Sequence, residues 1–351
     1  MDPLVIVSSR QDQSWVVFGE GGYERVRACG KRRILIADAR LRAWSEAVAR
    51  RIDADAVFSV DVDESQKTLA TVERLYEWMG QSGVTRDTTV VALGGGVATD
   101  MVGFAAATYQ RGLTWCAVPT SLLAQVDAAI GGKTGVNTAW GKNLVGAFHL
   151  PRVVVVDVEF LGTLPRREWL AGLGEVLKSG LIRGGALYER LDGLRLPPEG
   201  SLPAWRDVIF ETAAIKTEIV NEDLYETGSR MFLNFGHTIG HALENLLGYG
   251  VLSHGEAVGL GALAALELSE KLCGLSPAVQ IQVRKWMSLW GLPTAMPAID
   301  FDLLWRRLRQ DKKARTDGLT WVLVEAPGKP RLWRNIPEDL VRAVISNLAL
   351  P

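Results

Sequence analysis

The segment Thr88–Gly112 restricts the fold more than any other part of the chain. TTVVAL, Thr88–Leu93, is a β-branched and apolar run that passes without a spacer into Gly94-Gly95-Gly96, and a segment of small residues, Val97–Gly112, follows. A buried strand, a glycine turn and a helix able to press close to the strand make one β–α unit. Units of the same kind surround it. Arg33–Asp38 (RILIAD) reads as a strand with a helix over Leu41–Ile52, Ala56–Val62 as a strand with a helix over Leu69–Gly80, and Thr114–Pro119 and Val153–Asp157 as further strands. This alternation predicts a doubly wound, parallel, Rossmann-like sheet.

The pattern changes after Thr163. Helical periodicity covers Arg167–Ile182, Ala186–Leu194, Ala204–Asn221, Met231–Leu247, Glu256–Leu272 and Pro277–Trp290. Only Leu319–Glu325 reads as a strand, with Pro327-Gly328 as its turn and Arg331–Trp333 as its return. The expected organisation is an α/β domain over residues 1–162 and a mainly α-helical domain over residues 163–351, with Gly162 and Pro165 at the join. A length of 351 residues suits two domains.

Charge and cysteine usage remove several classes of function. Lys+Arg 39 against Asp+Glu 40 leaves a net charge of −1, so no overall field draws in nucleic acid or an anionic membrane. The three cysteines are an odd number without CxxC spacing, which points to a reducing cytoplasm. The start of the chain lacks the basic and apolar regions of a signal peptide, and no apolar run approaches the roughly 18–20 residues of a membrane span.

Chemistry-bearing residues gather in four places. GGGVATD departs from GxGxxG, yet a strand, glycine turn and helix start is how a dinucleotide pyrophosphate is commonly received. Asp38, at a strand end, has the position of a ribose-binding acid or of a helix N-cap, and Asp100 in the glycine segment also reads as a cap. Asp127–Asn143, DAAIGGKTGVNTAWGKN, lacks helix or strand periodicity and reads as a loop in which glycines frame Lys133, Lys142, Asn137 and Asn143. Glu175 and Lys178 lie three apart in an apolar helix, either as a simple ion pair or as a buried carboxylate that needs a cation. Three of the four histidines, His237, His241 and His254, fall within Arg230–Glu256. His237 and His241 share one helix face, narrowed by Gly236 and Gly240, and the cluster reads as a metal site or an acid/base centre.

Taken together, GGGVATD, VPTSLLAQVDAAIGGKTGVN, GKNLVGAF, TLPRREWLAGLGEVLK, RMFLNFGHTIGHALE, HGEAV and DKK resemble, in order and spacing over residues 30–330, the 3-dehydroquinate synthases of the sugar phosphate cyclase family. The resemblance implies an NAD-binding α/β domain, a helical metal domain and a homodimer. It implies Zn2+ or Co2+ held by Glu175, His237 and His254. It implies NAD+ contacts at Asp38, Glu64, Lys67, the loop Gly95, Gly96, Val97, Ala98, Thr99 and Asp100, then Thr120, Ser121, Lys133 and Lys142, and the segment Phe160, Leu161, Gly162 and Thr163. Substrate contacts fall on Asp127, Lys133, Asn143, Lys178, Lys216, Arg230, Asn234, His241 and Lys313, with Arg111 reaching a neighbouring subunit's site.

The implied substrate is 3-deoxy-D-arabino-heptulosonate 7-phosphate, a small phosphorylated sugar acid. It would be converted to 3-dehydroquinate and phosphate in the shikimate pathway by transient oxidation, phosphate elimination, reduction and aldol closure. Lys216 and Arg230 are the carboxylate candidates, and Lys133, Asn143, Lys313 and Arg111 the phosphate candidates. His241 is the proton carrier. Sister cyclases, such as aminodehydroquinate synthase or 2-epi-5-epi-valiolone synthase, are the nearest alternatives, followed by a metal-dependent polyol dehydrogenase. The cyclases of sedoheptulose 7-phosphate and glucose 6-phosphate act on substrates without a carboxylate, so the set Lys216, Arg230, Asn234 and His241 favours a carboxylated one.

Overall fold

The computed structural model describes residues 1–7, 13–197, 202–248, 250–312 and 319–349. The chain forms two compact units, Met1–Leu164 with Lys216–Tyr225, and Pro165–Ile215 with Glu226–Pro351.

In the first unit a seven-stranded sheet has the order β1-β2-β9-β6-β5-β3-β4. Its strands are β1 (Leu4–Val7), β2 (Gln13–Phe18), β3 (Arg32–Asp38), β4 (Ala56–Val60), β5 (Thr88–Gly94), β6 (Trp115–Pro119) and β9 (Val153–Val156). Every residue of β5, β6 and β9 is buried, which is why these strands read as unbroken apolar runs rather than alternating ones. Helices α1 (Glu20–Arg27), α2 (Arg42–Arg51), α3 (Leu69–Gln81) and α4 (Gly96–Thr108) connect them. Leu35, Val91, Val118 and Val155 from four neighbouring strands form one core with Tyr23, Val48 and Phe160.

The predicted doubly wound sheet is present, with one departure. β2 runs parallel to β9, but β1 pairs antiparallel with β2, a strand pair and a helix that sequence patterning missed. The chain passes from β3 to β4 on one side and then crosses to β5 on the other. The strand order therefore reverses between β3 and β5, and ligands of such sheets bind outside the carboxyl ends of strands at this point. Asp38 ends β3 and Gly94 ends β5.

Asp127–Asn143 is not the irregular loop expected from its composition. Ala124–Ala128 is a π-helical turn, and β7 (Lys133–Thr138) and β8 (Gly141–Phe148) form an antiparallel hairpin, irregular between Val136 and Thr138. Close packing explains its glycines: a Cβ on Gly135 would sit 2.8 Å from the Val145 carbonyl oxygen.

The second unit is helical: α5 (Arg166–Arg183), α6 (Gly185–Arg190), α7 (Leu202–Glu222, whose last turns from Lys216 belong to the first unit), α8 (His237–Leu247), α9 (His254–Cys273), α10 (Pro277–Trp290), α11 (Phe301–Lys312) and α12 (Glu338–Leu348). The expected hairpin is β10 (Thr320–Val324) with β11 (Pro330–Arg334). The single helix expected over Met231–Leu247 is instead a 3-10 segment, Ser229–Asn234, and then α8. Gly236 separates them at φ 79°, in the left-handed region where glycine alone pays no steric penalty.

α9 is the axis of this unit, and α5 and α8 meet it at glycines. A Cβ on Gly174 would lie 2.7 Å from Gly255 Cα, and one on Gly255 would lie 2.6 Å from the Ala171 carbonyl oxygen. A Cβ on Gly236 would lie 2.7 Å from the Val258 carbonyl oxygen. Backbone faces backbone at both crossings, so neither can yield by turning a side chain. Gly255→Ala is expected to lower unfolding free energy by about 1–3 kcal/mol, the usual cost of overpacking, as measured by urea denaturation. An unchanged midpoint would contradict the closeness of the α5–α9 crossing.

Candidate metal centre and nucleotide loops

Each glycine at these crossings has a metal-type ligand as its neighbour in sequence: Gly174 precedes Glu175, Gly236 precedes His237, and His254 precedes Gly255. Close approach of the helices thus delivers three donors to one point. Nε2 of His237 and Nε2 of His254 both lie 3.1 Å from Oε1 of Glu175. Ser253 caps α9 with Glu256 in a reciprocal capping box, which fixes the turn that carries His254.

The donor set fits a divalent cation. Nδ1 of His237 faces the Phe235 carbonyl oxygen at 3.2 Å, and Nδ1 of His254 faces the Glu244 carboxylate at 3.5 Å. Both acceptors favour a proton on Nδ1, which leaves the two Nε2 lone pairs directed at a carboxylate oxygen. That arrangement needs positive charge between the donors, and one carboxylate with two imidazoles is a common catalytic zinc set. Without a metal ion, a proton between His254 and Glu175 supplies that charge. Burial lowers His254, but its contacts with Glu175 and Glu244 more than reverse this and raise it to about 10. Burial raises Glu175, but Lys178 and the two imidazoles outweigh it and hold the carboxyl well below the usual range. Glu175 is 1% exposed and Lys178 2%, and the two are paired, so a charge that would be costly alone is compensated.

His241 follows one turn after His237 on α8, with ring centroids 5.1 Å apart, and its ring lies 6.1 Å from that of His254. Its pKa is lowered, first by its crowded surroundings and then by the imidazoles of His237 and His254. A neutral imidazole one helical turn from a metal-type ligand can accept and pass on a proton. Arg230 sits buried in the 3-10 segment, 2% exposed, and Asn234 at its end donates to Glu226 at 2.7 Å.

In the first unit, the start of α4 presents its backbone amides behind Gly95, and among the described residues no side chain caps it. Such an end receives a phosphate group readily. Val97, Ala98 and Thr99 form its first turn, and a Cβ on Gly95 or Gly96 would press on Ser121 Oγ at 3.3 Å or Ala128 Cβ at 3.2 Å. Thr120 donates its amide to the Gly94 carbonyl at 3.0 Å. Lys67 is buried and donates to Asp100 at 2.5 Å and to Asn143 at 2.6 Å. Asn143 stands at φ 53° with its amide bound to Asn137 Oδ1. Glu64 accepts from Asn137 at 2.8 Å and pairs with Lys142 at 3.5 Å. Lys216 binds both the carbonyl and the carboxylate of Asp127, at 2.6 and 2.7 Å.

Asp38 is a cap: it accepts from the Arg40 amide at 3.0 Å, and its carboxylate is gripped by the Arg40 guanidinium. Phe160 and Leu161 are buried, Phe160 edge-on to Trp44, whereas Gly162 and Thr163 are exposed. Lys133 is exposed at the start of β7, and Arg111 is exposed at φ 68° after α4. Lys313 falls outside the described residues. A cavity of about 670 Å³ lined by Cys29, Trp115, His149 and Arg152 contains none of the expected site residues. Glu244 and Glu226 escaped the sequence reading. Glu244 is the only acid in α8, three residues after His241, which was the one available signal.

Known proteins are similar to this chain in sequence and in fold. Residues 57–171 match the family model for the 3-dehydroquinate synthase N-terminal domain, and residues 172–314 that for its C-terminal domain. The 3-dehydroquinate synthase of Streptococcus gordonii is 42% identical over 305 residues, 85% of this chain and 86% of that protein. A 2-deoxy-scyllo-inosose synthase complexed with carbaglucose-6-phosphate, NAD+ and Co2+ is similar at TM-score 0.87 with 28% identity, covering 99% of both chains. A 2-epi-5-epi-valiolone synthase from Streptomyces hygroscopicus subsp. jinggangensis, with NAD+ and Zn2+ bound, is similar at TM-score 0.86 with 29% identity, covering 95% of this chain and 96% of its own.

The centre is expected to take up one Zn2+ per chain after chelator treatment, measured by titration. His237→Ala should lose that uptake while keeping the helical circular dichroism of the parent, because a polar site contributes little to core burial. Full zinc uptake by His237→Ala would contradict the assignment.

Proposed function

Because the chain belongs to the 3-dehydroquinate synthase family, we propose that it converts 3-deoxy-D-arabino-heptulosonate 7-phosphate to 3-dehydroquinate and phosphate. The observation that carries this reading over a sister cyclase is the 42% identity across 85% of the chain, against 28% and 29% to the two sister cyclases. When bound, the cofactors supply a reversible hydride acceptor, NAD+, and a Lewis acid, Zn2+ or Co2+, for the substrate hydroxyls.

The chain's own residues do the rest. Glu175, His237 and His254 hold the metal, and Lys178 keeps Glu175 ionised. His241 carries a proton to and from the substrate hydroxyl beside the metal ligands. The amides at the start of α4 receive the dinucleotide pyrophosphate, with Lys67, Asp100 and Asn143 holding the neighbouring hairpin in place. Lys216, oriented by Asp127, is a partner for the substrate carboxylate, and Arg230 is the other candidate. Lys133, Asn143, Lys313 and Arg111 serve the phosphate, Arg111 in a homodimer from the neighbouring subunit. The three free cysteines suit a reducing compartment, and the cytoplasm is the proposed location. No helix among the described residues is long and apolar enough to cross a membrane.

Incubation with the heptulosonate phosphate, NAD+ and Zn2+ is expected to release phosphate and form dehydroquinate in equal amounts, with no net NADH. Sedoheptulose 7-phosphate and glucose 6-phosphate run in parallel should give neither a cyclised product nor phosphate. Turnover of either in place of the sugar acid would overturn the reading. Lys216→Ala is expected to raise KM for the sugar acid by about tenfold to hundredfold, the loss of one charge-assisted hydrogen bond, with KM for NAD+ unchanged. The opposite pattern would contradict its carboxylate role.

A further inference from the structure

We propose that Glu244 is the positioning residue of the metal centre: its carboxylate accepts the Nδ1 hydrogen of His254 and fixes that ring with Nε2 towards Glu175. The inference rests on the reading that Glu175, His237 and His254 hold the metal.

Geometry carries it. His237, His241 and Glu244 are at i, i+4 and i+7 on α8, so one helix face presents all three. That face meets the start of α9, where His254 stands with Nε2 at 3.1 Å from Glu175 and Nδ1 at 3.5 Å from Glu244. A histidine with a carboxylate on each nitrogen can give only one of them to a metal. The other carboxylate then sets the tautomer and the ring plane, and makes the coordinating nitrogen a stronger donor. His237 is anchored in the same way but by a neutral group, the Phe235 carbonyl at 3.2 Å.

A competing trio exists, since His241, Glu244 and His254 also bring ligand atoms within 4.8 Å of one another. Two observations rank it second. Glu175 is 1% exposed and demands compensation, whereas His241 is exposed. Both Nε2 atoms of the first trio converge on one carboxylate oxygen at the same distance. Glu244 therefore acts through His254 rather than as a ligand.

Zn2+ affinity measured by competition with a chromophoric chelator, together with the visible spectrum of the Co2+ form, separates the possibilities for Glu244→Gln, Glu244→Ala and Glu175→Ala. Circular dichroism of the metal-free variants reports folding, and the near-isosteric Gln variant keeps the test valid if the Ala variant fails to fold. Glu244→Ala is expected to weaken Zn2+ by about tenfold to hundredfold and Glu244→Gln by less, because the amide oxygen still accepts the hydrogen bond. Both should retain the Co2+ band pattern of the parent, while Glu175→Ala loses it. Unchanged affinity in both Glu244 variants would overturn the proposal and leave the metal reading standing. Loss of Zn2+ and of the Co2+ bands in Glu244→Gln as complete as in Glu175→Ala would overturn it by making Glu244 a ligand. Failure of the parent to bind either metal would overturn the proposal together with the metal reading.

Discussion

Two backbone-to-backbone crossings of α9, with α5 at Gly174 and Gly255 and with the start of α8 at Gly236, set the geometry of the second unit. Side-chain packing usually keeps helices 8–10 Å apart and leaves some play between them. Glycine crossings remove that play. The ligands lie directly beside the crossing residues in sequence, so their spacing follows from the helix geometry rather than from long flexible side chains. The three donors are thereby held close together by the backbone itself, which favours binding.

The same centre shows how charge can be buried without loss of the fold. Glu175 has Lys178 on one oxygen and two imidazoles on the other, so its burial is matched by partners on both sides. Lys178 is the partner that is charged at every ordinary pH, so removing it, rather than one of the imidazoles, would leave the buried carboxylate short of compensation. In the first unit a similar arrangement links Lys67, Asp100 and Asn143, and ties the β7–β8 hairpin to α4. Sequence elements far apart in the chain thus share one polar network.

What sequence could reveal followed from how locally each feature is encoded. β5, β6 and β9 were legible because burial on both faces leaves an unbroken apolar run. β1 and β2 were not, because Leu4–Val7 is short and Gln13–Phe18 begins with polar residues, and Gly21 and Gly22 blur the helix after them. The β7–β8 hairpin was hidden by glycines needed for close packing and by Asn143 in the left-handed region. Helical spacing of apolar residues ran through Gly236 and concealed the break there. The histidine cluster was legible as a cluster, but its use as metal ligands needed the family resemblance. Glu244 has its partner ten residues away across a loop, and no local pattern announces that. Asp38 stands at the strand end expected of it, and its carboxylate also pairs with Arg40, a contact that no periodicity announces.

The glycine crossings bring Glu175, His237 and His254 together as one metal site. Anomalous diffraction from crystals grown with Zn2+, recorded on both sides of the zinc edge, tests it most directly. The account requires a single strong peak about 2.0–2.2 Å from a Glu175 carboxylate oxygen and from Nε2 of both histidines. A peak bound instead by Glu244 and His241, or no peak at all in zinc-saturated protein, would contradict it.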